Sequence, residues 1–175
     1  SEPWLQDNVP AIIESWEPGL FGGEAVADIL FGDVNPSGKL PLTVARSVGQ
    51  LRIIYNHKPS AYFHKYAFEK KKPLYPFGFG LSYTNYKYSK PRLSSNELKK
   101  GKTISLSFEI ENTGTMDGEE VVQLYIRDKV SSVTRPVKEL KGYKRIDEML
   151  NNVPFIDGIS EHELDKIKQD KNYAA

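Results

Sequence analysis

The sequence predicts an α+β chain: one βα unit at its N-terminal end, an antiparallel β-sandwich after it, and a short helical tail. Two kinds of periodicity carry that prediction. Residues 9–15, VPAIIES, are an apolar run of strand length, and after a glycine turn the apolar residues recur at three- and four-residue spacing. Residues 103–112 and 121–127 instead alternate every second residue, with turn residues between them.

Gly19, Gly22 and Gly23 follow the apolar run, where the backbone takes positive φ or approaches a neighbour closely. Glu24 to Phe31 then reads as a helix with Ala25, Val26, Ile29 and Leu30 on its apolar face, the last three facing a sheet. Gly32 stops it, with Asp33 and the turn Asn35-Pro36-Ser37-Gly38 behind. Strand, loop and helix make one βα unit of a layered α/β domain, and a single unit needs neighbours to cover both faces of its sheet. Residues 1–44 are therefore read as the end of such a domain.

Residues 45–82 form a connecting segment rich in aromatics, lysine and proline. Tyr62, Phe63, Tyr66 and Phe68 precede Lys70-Lys71-Lys72, and Pro73 and Pro76 hold the backbone extended. The lysines read as a solvated loop and the aromatics as packing of one domain on another, ahead of polyanion or ligand contact. In residues 83–146, Ile104, Leu106, Phe108 and Ile110 oppose Thr103, Ser105, Ser107 and Glu109. Val122, Leu124 and Ile126 likewise oppose Val121, Gln123, Tyr125 and Arg127. Asn112-Thr113-Gly114 and Asp117-Gly118 supply the turn, giving an antiparallel sheet with one face on a core.

Residues 147–175 change character, with seven acidic and three basic residues, net −4, leaving +5 for residues 1–146. Ser160 with Glu163 is a capping-box pair, and Leu164 and Ile167 a weak apolar stripe. The segment reads as a short helix in a mostly solvated, divergent acidic tail.

Composition narrows the function classes. Hydrophobic content of 39% and charged content of 27% belong to an ordinary globular chain. A net charge of +1 gives no electrostatic reason to expect nucleic acid or an anionic membrane. No apolar run approaches the ~20 residues of a spanning helix. The absence of cysteine excludes disulfides and thiolate metal sites and leaves the compartment open. The opening Ser-Glu-Pro-Trp has neither a start methionine nor a leader pattern, so a preceding segment is expected.

Five stretches together carry a family resemblance: WEPGLFGGEAVADILFGDVNPSGKLP from Trp16, SVGQL from Ser47, YNHKPS from Tyr55, PLYPFGFGLSYT from Pro73 and EEVVQLYIRDKVSSVTRPVKELKGYKRI from Glu119. They resemble the C-terminal part of family 3 glycoside hydrolases, the β-glucosidases and β-xylosidases. The resemblance spans residues 1–146 and implies the end of the family's α/β sandwich domain followed by a fibronectin type III-like β-sandwich, incomplete because the family pattern stops after Ile146. It implies an oligosaccharide or glycoside substrate with a terminal β-D-glucosyl or β-D-xylosyl residue, and a periplasmic or secreted setting. Its partners would be the barrel and the earlier part of the α/β domain. The family's aspartate nucleophile belongs to that barrel and its usual general acid to an earlier loop of the α/β domain. This chain is therefore expected to contain no catalytic residue and to be inactive alone. The alternatives are a non-catalytic β-sandwich binding module and a truncated gene product without independent activity.

Asp28 and Asp33 are carboxylates by position only, one within a helix and one at its capping turn; the resemblance gives neither a catalytic role. Trp16, with Pro18 and Gly19, stands where open α/β sheets place ligand sites. Its indole is the candidate substrate-binding surface, with packing in the core as the simpler expectation. The family commonly has Gln-Glu where Leu20 and Phe21 stand. The glycine turn lacks G-x-G-x-x-G spacing, and Gly101-Lys102-Thr103 lacks both the first glycine and the helix of a phosphate loop. His57, His64 and His162 have no metal-ligand spacing, so no metal and no cofactor is expected; His57 reads as a structural histidine at a domain junction. No serine has a nucleophile-elbow context.

Overall fold

A computed structural model describes residues 3–59, 70–99, 102–148 and 153–159. The aromatics between 62 and 68, His64, His162 and the expected helix from Ser160 lie outside the described residues. The described residues form two antiparallel sheets and few helices. One compact unit holds residues 1–82 with 121–146; the other holds 83–120 and the chain from 147.

In the first unit, helix α1, Pro3–Asn8, is closed by the Asn8 amide on the Trp4 carbonyl at 2.8 Å. Residues 9–15 follow and do not form the expected strand. Their apolar content is right, but a strand needs a neighbour to pair its backbone, and none of the described strands pairs with them. Helix α2, Gly22–Phe31, forms as expected and ends on Gly32 at φ 80. The Asp28 carbonyl accepts from the Asp33 and Val34 N–H groups at 2.8 and 3.1 Å, which satisfies the helix end. Among the described residues no sheet seats its apolar face. Val26 and Ile29 are half-buried, whereas Ala25 is exposed and Leu30 is 63% exposed.

Residues 39–44 run antiparallel to 74–80. Val44 bridges Tyr75, with Val44 N–H on the Tyr75 carbonyl at 2.8 Å and Leu74 N–H on the Val44 carbonyl at 2.9 Å. Gly78 N–H and the Leu40 carbonyl continue the pairing at 2.7 Å. Leu74, buried in this pairing, joins Val122 and Ile146 as the buried apolar residues among those described in this unit. Buried Gln50 acts as a clamp: its carbonyl accepts from Arg46 N–H and its amide donates to the Lys70 carbonyl, both at 2.8 Å. The side chains of Lys70, Lys71 and Lys72 stay exposed above that clamped backbone, as a solvated turn requires.

Strands β1, Tyr86–Leu93, β2, Ile104–Asn112, and β5, Val153–Ile159, form a three-stranded sheet in the order β1-β2-β5. Strands β3, Gly118–Ile126, and β4, Glu139–Glu148, form a two-stranded one. The alternation read in β2 shows in burial at the C-terminal end of the strand. Ile110 is fully buried and Asn112, two residues on, is nearly so, while Glu109 and Glu111 face solvent-side lysines on β1. Lys87 lies opposite Glu111 at 3.7 Å and Lys90 reaches Glu109 at 2.8 Å, exposed pairs worth at most ~1 kcal/mol each. With the irregularity between Ser89 and Arg92, these charges keep the β1 edge from pairing with another chain.

The turn after β2 is built on a buried side-chain amide. Asn112 Oδ1 accepts from Thr84 Oγ1 at 2.6 Å and from Gly114 N–H at 3.1 Å, and Nδ2 donates to the Met116 carbonyl at 2.9 Å. β5 was not expected. It falls in the segment read as a solvated tail, and it forms because β2 offers it a continuous line of backbone partners from Ile110 to Ile104.

Tyr88 on β1 gives the second unit a titrating contact. Its hydroxyl donates to Glu120 Oε1 at 3.0 Å, and its ring lies 5.8 Å from Phe108. Burial, then the Glu120 charge and hydrogen bond, and finally Tyr86 push the phenol well above its ordinary 10.0. The folded state thus favours the protonated phenol. Its contribution is complete below pH 10, where the unfolded tyrosine is also protonated, and is lost as pH rises toward the folded value. Comparing denaturant midpoints at about pH 8 and about pH 11, the wild-type chain is expected to lose more stability than Tyr88→Phe. Equal losses would show that Tyr88 titrates without influence on folding.

Candidate functional site

The loop joining residues 9–15 to α2 holds the candidate contact residue. Trp16 has φ 49, a left-handed conformation that costs a bulky residue free energy. Its N–H donates to Glu14 Oε1 at 3.1 Å, closing a short turn that fixes the backbone under the ring. Of the two roles open to the indole, packing in a core is not found in this chain: Trp16 is 55% exposed. Gly19, at φ 69, turns the chain, and Gly22 N–H returns to its carbonyl at 3.2 Å to begin α2. Leu20 and Phe21 stand exposed between them, so the loop presents apolar surface.

The two aspartates take the places the sequence suggested. Asp28 is half-buried within α2 and Asp33 lies exposed beyond the Gly32 cap. His57 Nδ1 is 3.0 Å from the Lys58 carbonyl, and the His57 carbonyl accepts from Val137 N–H at 2.9 Å, a backbone-fixing arrangement. Among the described residues no group of three or more His, Cys, Asp or Glu could hold a metal ion, and no helix is long and apolar enough to cross a membrane.

A cluster of aromatics was missed in the sequence. Tyr55 stacks on Phe77, centroids 4.2 Å apart at 18°, and meets Tyr125 edge-on at 6.0 Å. The Tyr55 hydroxyl accepts from Leu140 N–H at 3.3 Å, and Lys138 Nζ lies 4.7 Å over the Tyr125 ring. Tyr125 donates to Gln123 Oε1 at 2.5 Å, while Gln123 Nε2 donates to the Gly78 carbonyl at 3.1 Å. Burial, and then Tyr55, push the Tyr125 phenol up. The cluster thus binds the connecting segment to β3 and to the start of β4. The signal was present in Val121 and Tyr125, which make the supposedly polar face of β3 too apolar to stand in water.

Comparison with known proteins gives the chain its relatives. Residues 1–83 match the glycosyl hydrolase family 3 C-terminal domain, and residues 120–150 match the fibronectin type III-like domain. A β-xylosidase of Formosa agariphila is 46% identical over 146 residues, covering 82% of this chain and 20% of that protein. The periplasmic β-glucosidase of Salmonella typhimurium is 46% identical over 146 residues, covering 78% of this chain and 19% of its own length. Among solved structures, a β-glucosidase from Erythrobacter marinus superposes with a TM-score of 0.80 at 45% identity, over 88% of this chain and 21% of that one. The chain spans about a fifth of the length of the relatives it matches.

The glycine pair at the start of α2 separates into two cases. A Cβ on Gly22 would lie 2.5 Å from Pro18 Cγ and 2.6 Å from Pro18 Cβ, whereas one on Gly23 meets nothing within 4 Å. Only Gly22 therefore needs to be glycine, and the expectation that both allow close approach is corrected for Gly23. Gly22→Ala is expected to destabilise the chain by ~1–3 kcal/mol through overpacking against the proline ring. Gly23→Ala, inside a helix, should stabilise by ~0.5–1 kcal/mol. Thermal melts followed by circular dichroism check both; a Gly22→Ala protein as stable as wild type would show that the Pro18 contact yields freely.

Proposed function

We propose, from the premise that this chain belongs to glycoside hydrolase family 3 and is the C-terminal part of such an enzyme, that it is the non-catalytic portion of a β-glycosidase. The reaction of the whole enzyme is hydrolysis of terminal β-D-glucosyl or β-D-xylosyl residues of oligosaccharides. One observation carries this reading: identity near 46% over 146 residues with proteins named as β-xylosidase and β-glucosidase, each about five times longer. In this reading residues 1–44 close the α/β domain, 45–82 connect, and 83–146 form the fibronectin type III-like domain. In it, residues 147–175 are this chain's own continuation, and β5 within them adds to the β1-β2 sheet.

Glycoside hydrolysis needs a proton donor and a nucleophile or base on opposite sides of the scissile bond, ~5–10 Å apart. Asp28 and Asp33, one in a helix and one at its cap, do not supply that pair. The chain's part is to hold shape: the Gln50 clamp and the aromatic cluster fix the connecting segment. The 175-residue chain alone is accordingly expected to release no nitrophenol from aryl β-glucosides or aryl β-xylosides. Turnover that survives repurification and disappears on substituting a residue of this chain would sink the reading.

Trp16 is proposed as the chain's contact with the glycoside. Its exposed indole and its backbone, tied at Glu14, support a role as a flat apolar platform for a sugar ring. In an enzyme assembled from this chain and the family's barrel and earlier α/β segment, Trp16→Ala should weaken inhibitor binding. The expected loss is up to about tenfold, the scale of one aromatic stacking contact. The melting temperature should stay nearly unchanged, as for a surface substitution. A large drop in melting temperature with unchanged affinity would instead make Trp16 a core residue of the whole enzyme.

A further inference from the structure

β5 lies beyond both matched family regions, the later of which ends at residue 150. It nonetheless pairs with β2 without interruption through seven consecutive partners, Ile104 with Ile159 through Ile110 with Val153. The backbone explains how a segment outside the family pattern fits there. In an antiparallel strand the N–H and C=O of one residue point to the same side, and successive residues point to opposite sides.

On β2 and its continuation the odd positions face β1. The Ser105 carbonyl accepts from Ser94 N–H at 2.9 Å, and Thr113 N–H donates to the Asn85 carbonyl at 2.8 Å. The even positions, Ile104, Leu106, Phe108 and Ile110, therefore present their N–H and C=O to β5. Their partners are Ile159, Asp157, Phe155 and Val153. Pro154, which has no N–H, stands opposite Glu109, an odd position whose backbone bonds are made on the other side. The proline thus falls in the one parity where it removes no bond between the strands.

We propose that the edge of β2 is an acceptor for one extended chain segment, that residues 153–159 are its occupant in this protein, and that the same segment supplied in trans binds the edge when the resident strand is displaced. Recognition is by backbone, so it does not require the family's sequence, only an extended segment with free N–H groups at alternate positions. This inference stands apart from the glycosidase reading and survives or fails independently of it.

The test uses full-length chains carrying Phe155→Pro or Ile156→Pro. Amide hydrogen exchange is measured for β2. Phe155→Pro removes an N–H that points to β2 and should accelerate exchange at Leu106, Phe108 and Ile110 roughly tenfold or more, the scale of a lost backbone bond. Ile156→Pro removes an N–H that points away and should leave those amides within about twofold of wild type. Ser107 and Glu109, bonded toward β1, should stay protected in both variants. An end-blocked VPFIDGI peptide should restore protection in the Phe155→Pro chain. Equal acceleration in the two variants, acceleration in neither, or no protection from the peptide would overturn the proposal.

Discussion

The pairing of backbone N–H and C=O groups along β2 is the constraint on which the second unit rests. Each residue of this strand must place two strong polar groups, and leaving one unpaired away from water costs ~1–3 kcal/mol. β2 divides them: odd positions go to β1 and even positions to β5. The same requirement acts in the opposite sense on residues 9–15. They are apolar enough for a strand, but with no described strand alongside they stay irregular. Strand content in this chain thus follows the available partners more closely than it follows apolar character.

Polar side chains take over where the strands end. Asn112 sits two residues beyond fully buried Ile110 on the same face and uses its amide on Thr84, Gly114 and Met116. A buried amide is tolerated only when its donors and acceptor are used, and here the satisfied group fixes the turn that leads into β3. Gln50 performs the same service in the first unit, joining Arg46 to Lys70 across a long span of sequence. Both residues convert a desolvation penalty into a specific chain path. The Tyr55, Phe77 and Tyr125 cluster does this with rings, and its hydroxyls reach backbone or side-chain partners at its margin.

The contrast between Trp16 and these aromatics bears on function. Tyr55 and Phe77 are stacked on each other, whereas Trp16, Phe21 and Phe31 of the same unit are more than half exposed. The first set stabilises this chain's own structure. The second leaves apolar surface exposed.

The sequence by itself determined the local elements and the family. The three- and four-residue spacing of α2, its Gly32 stop, the alternation of β2 and β3 and the turn at Asn112 all follow from propensity and side-chain period, which act over a few residues. Motifs from Trp16 to Ile146 were enough to identify the relatives. Only the tertiary structure decided which apolar run became a strand, because that depends on a partner remote in sequence. It therefore left residues 9–15 unpaired and made a strand of 153–159, a segment with a proline and a glycine that propensity argues against. It also decided that Gly22 meets Pro18 while Gly23 meets nothing, and that Tyr125 joins Tyr55, since distances between such residues are set by how the chain returns on itself.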